Sequence, residues 1–230
     1  MTQRLLPFRH FWSEDHGLTG LLIFFLGYFI LLNSMSEFWF GRLAAHVLFS
    51  LIIMTGVLTI FSQKWLRPVV LALAAISLAF NLGEQFRPTL SLATLNACFS
   101  LGYLGLLLPM IVVRIFQEGP ITGHRIQGAI VVYLLLGGIF SLLYQVTAFT
   151  LPQAFRWSDG LPSGDPNLLR RELTYFSFIT LTTTGYGDIT AVHPLARTLV
   201  MLEALVGQLY PAIVLAWLVS LAVTHKPQKS

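Results

Sequence analysis

The chain has 230 residues, 55% of them hydrophobic and only 10% charged, where an ordinary soluble domain carries about 25%. A water-soluble core has no use for so much apolar surface at this length, so the composition points to a membrane protein. The formal net charge is +4, but the basic residues flank apolar runs rather than forming a stripe among aromatics, which excludes a nucleic-acid partner.

Taken in chain order, the first segment lacks the apolar core and small-residue cleavage site of a signal peptide and is expected to be a retained cytoplasmic end. A spanning helix needs about 20 mostly apolar residues. Spans are predicted at 17–35, at 43–61 (with His46), at 68–83 (the shortest), at 89–113 (with Pro109 and the single cysteine, Cys98) and at 126–150. The last span is predicted at 194–223. The links between the first five are short and polar.

Residues 151–170 are rich in Pro, Gly, Asp and Ser and read as an exposed loop. LTYFSFITLTT follows, apolar but too short to span, and suits a re-entrant half-helix over 172–183. TTGYGDITAVH cannot be a helix in lipid. Non-helical backbone at membrane depth survives only where it is buried in protein or lines a water-filled cavity, so the pattern demands a pore or cavity here. With the N-terminus inside and six spans, Arg4, Arg9, Lys64, Arg67, Arg114, Arg125, Lys226 and Lys229 fall on the cytoplasmic side. Arg42, Arg87, Arg156, Arg170, Arg171 and Arg197 fall on the other. The bias agrees with the positive-inside rule and puts both termini in the cytoplasm of a multi-pass plasma-membrane protein.

Residues 180–188 read T-L-T-T-T-G-Y-G-D. Here the chain resembles the potassium-channel family, whose filter signature is TxTTxGYGD, and the resemblance extends over 125–223. It implies an all-α integral membrane fold of six transmembrane helices plus a re-entrant pore helix and filter. With a single filter segment per chain, it also implies a homotetramer, since four strands are needed to close the ring. The partners implied are potassium ions, three identical subunits and membrane lipid, with K+ in the filter and no organic cofactor. The expected domains are a four-helix membrane domain at 1–116, a cytoplasmic linker at 117–124, a pore domain at 125–223 and a short cytoplasmic tail at 224–230. Within the pore domain fall the outer helix 126–150, pore helix 172–183, filter 183–188 and inner helix 194–223.

A potassium ion sheds water only if other oxygens replace it, and rings of backbone carbonyls from four strands supply them. The expected ligands are the carbonyls of Thr183, Thr184, Gly185 and Tyr186, with the Thr183 hydroxyl at the inner end. Gly185 and Gly187 tolerate the unusual dihedrals that this requires. Tyr186 is expected to pack behind the filter and Asp188 to sit at its outer mouth. The chain departs from the family at Thr184, where Val or Ile is usual. It departs at Ile179, where some members carry an acid. It departs also at Tyr175-Phe176, where others have Trp-Trp, although Tyr175 could still hydrogen-bond Asp188.

Gly207 lies nineteen residues beyond Asp188, the family's spacing to its inner-helix hinge. With Pro211, which lacks a helical donor, it makes a candidate gate hinge. The other reading is a glycine that lets two helices approach. Gln208, Pro211, Leu215 and Val219 share one helical face, expected to line the cavity. Glu203, the one acid assigned within a span, is either solvated near the outer end or hydrogen-bonded behind the pore helix as support. Six spans resemble the voltage-gated layout, but sensing needs roughly 3–4 mobile charges per subunit. The fourth span has none, and the first three lack internal acids to pair with arginines. These four helices are therefore expected to pack and anchor. His46 and His193 read as ordinary polar residues, without metal-ligand spacing. Other functions weighed are a non-selective cation channel, which would be expected to break the GYG run, and a non-conducting structural subunit. No enzymatic motif is present.

Overall fold

The computed structural model describes residues 6–35, 38–59, 67–86, 89–116, 123–151, 153–158, 160 and 165–224. The linker at 117–122 and the tail from 225 onward lie outside the described residues. Seven helices form among them: α1 (Leu6–Met35), α2 (Trp39–Thr59), α3 (Arg67–Phe86), α4 (Leu90–Ile115), α5 (Gly123–Thr150), α6 (Pro166–Leu181) and α7 (Pro194–Thr224). Five are long and apolar enough to cross a bilayer, and α3 carries a shorter apolar stretch, Pro68–Glu84. Helices are the expected form, because in lipid every backbone polar group must find its partner within the segment. The helical backbone overruns several predicted spans: hydropathy marks where a chain meets lipid, whereas hydrogen bonding sets where a helix ends. Thr89, predicted as the first residue of the fourth span, is instead the N-cap of α4, its hydroxyl accepting from the Leu92 N–H.

The helices α1 and α4 pack against α5 of their own chain, and α2 and α3 close the bundle against α1, α4 and each other. One core joins Leu21 and Phe25 of α1, Ile52 of α2, Tyr103 and Leu107 of α4, and Val131 and Leu135 of α5. Tyr103 is fully buried, and its hydroxyl donates to the Ile53 carbonyl at 2.7 Å, joining α4 to α2. Between lipid-bathed helices, such close packing and hydrogen bonding replace the hydrophobic effect as the adhesive.

A second core lies around α6. It contains Phe140 and Tyr144 of α5, Leu173 and Phe176 of α6, and Phe155 and Ile189 from two short strands. These strands, β1 (Phe155–Trp157) and β2 (Ile189–Ala191), pair antiparallel with Phe155 opposite Ala191 and Trp157 opposite Ile189. The expectation of an exposed loop over 151–170 is thus corrected at both ends. Phe155 is buried in a strand, and α6 begins at Pro166. Turn-forming composition concealed a three-residue strand, and the polar first turn of α6 concealed the helix start.

Candidate ion-conduction site

The short helix α6 is set by local signals. The Asp165 carboxylate caps it by accepting from the Asn167 N–H at 2.9 Å, and Pro166 occupies the first turn, where its missing donor costs nothing. The helix covers 166–181 rather than the expected 172–183, because the hydropathy signal begins only after Arg170-Arg171-Glu172. It stops at Leu181, with Thr182 as its C-cap and Thr183 already at φ 58°.

Beyond it, φ is positive at Thr183, Gly185 and Gly187 (58°, 53° and 79°), but not at Thr184 or Tyr186. Alternation of handedness turns successive N–H groups to one side of the strand. Those of Thr184 and Gly185 both donate to the Ile179 carbonyl, at 2.8 and 3.1 Å, and that of Thr183 to the Thr180 carbonyl at 2.9 Å. No hydrogen bond among the described residues ends on the carbonyls of Thr183, Thr184, Gly185 or Tyr186. Side chains from Thr182 to Gly187 are exposed, and nothing in its own chain covers Tyr186, 72% exposed. Thr184 places its hydroxyl 3.0 Å from that of Thr182, a contact that an aliphatic residue could not make.

The far end of the segment is fastened as well. Asp188 accepts the Ser158 N–H on its carbonyl at 2.9 Å and the Ile189 N–H on its carboxylate at 3.0 Å. Tyr175 of α6 hydrogen-bonds Asp188; burial first, and then that bond, push its phenol up to about 12. Behind α6, the fully buried Glu203 of α7 accepts from the Tyr144 hydroxyl of α5 and the Ser177 hydroxyl of α6, each at 2.5 Å. Ser177 also lies 2.8 Å from the Gly137 carbonyl. One carboxylate thus joins three helices, the arrangement expected of support rather than solvation.

Gly207 is buried where α7 crosses the end of α6. A Cβ built there would fall 2.0 Å from the Leu181 carbonyl oxygen, so only glycine fits. The same carbonyl accepts from the Tyr133 hydroxyl at 3.1 Å. The helix α7 continues unbroken through Gly207 and Pro211. Close approach to the Leu181 carbonyl is by itself enough to require a glycine at 207. Gln208, Pro211, Leu215 and Val219 all lie on the exposed side of α7, Leu215 at 64% and Val219 at 55%. His46 is buried against Asn81 at 3.1 Å, and His193 accepts the Leu195 N–H at the start of α7. No cluster of metal-binding side chains occurs among the described residues.

The sequence reading missed a second buried acid. Glu84, one residue beyond the predicted third span, lies inside α3 and is 4% exposed, so Glu203 is not alone. Glu84 pairs with Arg170 of α6 at 2.6 Å, which corrects the expectation that the first three spans offer no acid to an arginine. Arg170, expected in an exposed loop, is nearly buried in this pair, its side chain 12% exposed. The available signal was the Asp165-Pro166 helix start, which places Arg170 one turn inside α6.

Residues 166–224 match the family model described as ion channel (Ion_trans_2), covering α6, the 183–188 segment and α7. Protein LctB of Bacillus caldotenax is 33% identical over 81 residues, 35% of this chain. That match spans 58% of the relative's length. No solved structure matches. The α6-to-α7 unit is similar to ion-channel pore segments, a non-enzymatic class, and lies in a helical chain with several helices able to span a membrane.

Proposed function

We propose that the protein is a potassium-selective channel subunit, that four copies surround one pore, and that K+ passes through rings formed by the carbonyls of Thr183, Thr184, Gly185 and Tyr186. The observation that carries this reading is the TTGYG segment itself: the N–H groups of Thr183, Thr184 and Gly185 are spent on the end of α6, while the carbonyls of Thr183 to Tyr186 accept no hydrogen bond among the described residues. Four such strands would replace the hydration shell of K+. The C-terminal end of α6, with its partial negative charge, would favour a cation below them. Asp188 would attract cations at the outer mouth, and Tyr186 would pack against the neighbouring copy. Gln208, Leu215 and Val219 would line the cavity, with any gate bend near Gly207 and Pro211. The protein would reside in the plasma membrane with both ends cytoplasmic.

The stretch of α4 within the membrane, Leu90–Val113, carries no charged residue, so an arginine-ladder voltage sensor has no place in this reading. Flux of K+ and Na+ through purified protein in liposomes tests the proposal, with tetramer mass read in parallel. Selective K+ flux is expected. Equal fluxes would indicate a non-selective cation channel, and an intact assembly without flux a structural subunit.

A further inference from the structure

Two buried acids grip α6 from different sides. Glu203 holds its middle from within the pore unit, through Ser177. Glu84 holds its first half from the four-helix domain: one carboxylate oxygen accepts both from the Arg170 guanidinium at 2.6 Å and from the Asn96 amide of α4 at 2.7 Å. Its other oxygen is buried without a hydrogen-bond partner among the described residues. The arrangement does not serve α6 alone, since a cation near a helix N-terminus opposes the helix dipole. It is also a poor device for stability: a buried ion pair gains little over apolar packing, while loss of one partner strands the other charge. Charge inside a membrane domain is functional by default. What the pair does is join α3 and α4 to α6, and α6 is the element whose Ile179 carbonyl holds the N–H groups of Thr184 and Gly185.

We infer that the Glu84–Arg170 ion pair is a positioning device, through which the four-helix domain fixes the tilt of the pore helix and so keeps the filter of its own subunit in its ion-selective form. This rests on the channel reading above. Glu84 and Arg170 touch no ion; they act through α6. Any movement of α3 against α5 would reach the filter by this link.

The test uses the full chain in liposomes, with Glu84→Gln, Arg170→Gln and the charge-exchanged double variant E84R/R170E. The readouts are the K+ to Na+ flux ratio and retention of the tetramer. Each single variant is expected to lower the ratio at least tenfold with the tetramer intact, and the exchange to recover it to within threefold of wild type. A wild-type ratio in both single variants overturns the inference, because a merely structural pair would change assembly and leave selectivity alone. If Glu84→Gln fails to assemble, Glu84→Asp keeps the charge but shortens the reach. A lowered ratio in its intact tetramer supports the inference, and an unchanged one overturns it. Wild-type protein without selective K+ flux refutes the proposed function instead, before any variant is compared.

Discussion

The four-helix domain and the pore unit treat their polar groups in opposite ways. In the first, most of the buried polar side chains described find partners within the chain: His46 with Asn81, Asn96 with Glu84 and Ser100, Tyr103 with the Ile53 carbonyl, one Glu84 oxygen excepted. In the second, four successive carbonyls accept nothing among the described residues, Tyr186 is uncovered, and Leu205, Leu209, Ile213 and Leu215 of α7 stand more than half exposed. Only 17% of the α7 span is buried, against 22% for α1 and 39% for α2 and α4. One unit turns its polar groups inward, and the other leaves a row of them open. Unpaired carbonyls at membrane depth cost several kcal/mol each unless something replaces water, and the proposed assembly supplies both the ion and the covering surfaces.

The sharpest way to break this contrast is at the glycines of the strand. Gly185→Ala puts a Cβ on a residue at φ 53°, which costs about 1–2 kcal/mol in each copy and across four copies should cut K+ flux about a hundredfold or more. Flux in liposomes reads the loss; near-normal flux would mean that the strand does not conduct in this conformation. Next in size is Gly207→Ala. Its Cβ would collide with the Leu181 carbonyl, so a loss of about 1–3 kcal/mol is expected as a lowered midpoint for thermal unfolding in detergent. A neutral result would remove the close-approach requirement at Gly207.

Tyr144→Phe removes one of the two donors to Glu203 and should cost about 1 kcal/mol, seen as a small drop in the same midpoint. Smaller still is the pH effect at the mouth. The Tyr175 phenol is raised to about 12, so it stays protonated and donating below that pH and is lost only above it. K+ flux should therefore show no Tyr175-dependent step between pH 7 and 10. A step in that interval that vanishes in Tyr175→Phe would sink the assignment. The smallest signal concerns α4. Gating-charge measurements should find well under the roughly 3–4 charges per subunit of an arginine ladder. A full-sized gating current would overturn the passive role given to the four helices.

What could be read from the sequence follows from how each feature is encoded. The 183–188 strand is written in residue types that have few other uses, so its location and its likeness to ion-channel pore segments were legible. The long helices were legible because hydropathy integrates over many residues. The contact of Glu203 with α6 was foreseen only as one of two options, since an acid's partners lie on other helices. The pairing of Glu84 with Arg170 was not legible, although the Asp165-Pro166 helix start could have placed Arg170 in α6: the partners stand 86 positions apart, and each sits just past the edge of the segment to which hydropathy assigned its neighbours. The β1–β2 pair was hidden by its shortness, since three residues carry no period.

The fastening of the strand at both ends has a consequence for evolution by insertion. Leu181 closes α6 and is wedged against Gly207, while Ile189 opens β2 and pairs with Trp157. The stretch between these anchors must bridge a fixed gap with a fixed alternation of handedness. A residue added or removed there would shift every later carbonyl to the wrong side and drag Asp188 off Ser158. Side-chain chemistry along the strand can drift, as Thr184 illustrates, but its length cannot.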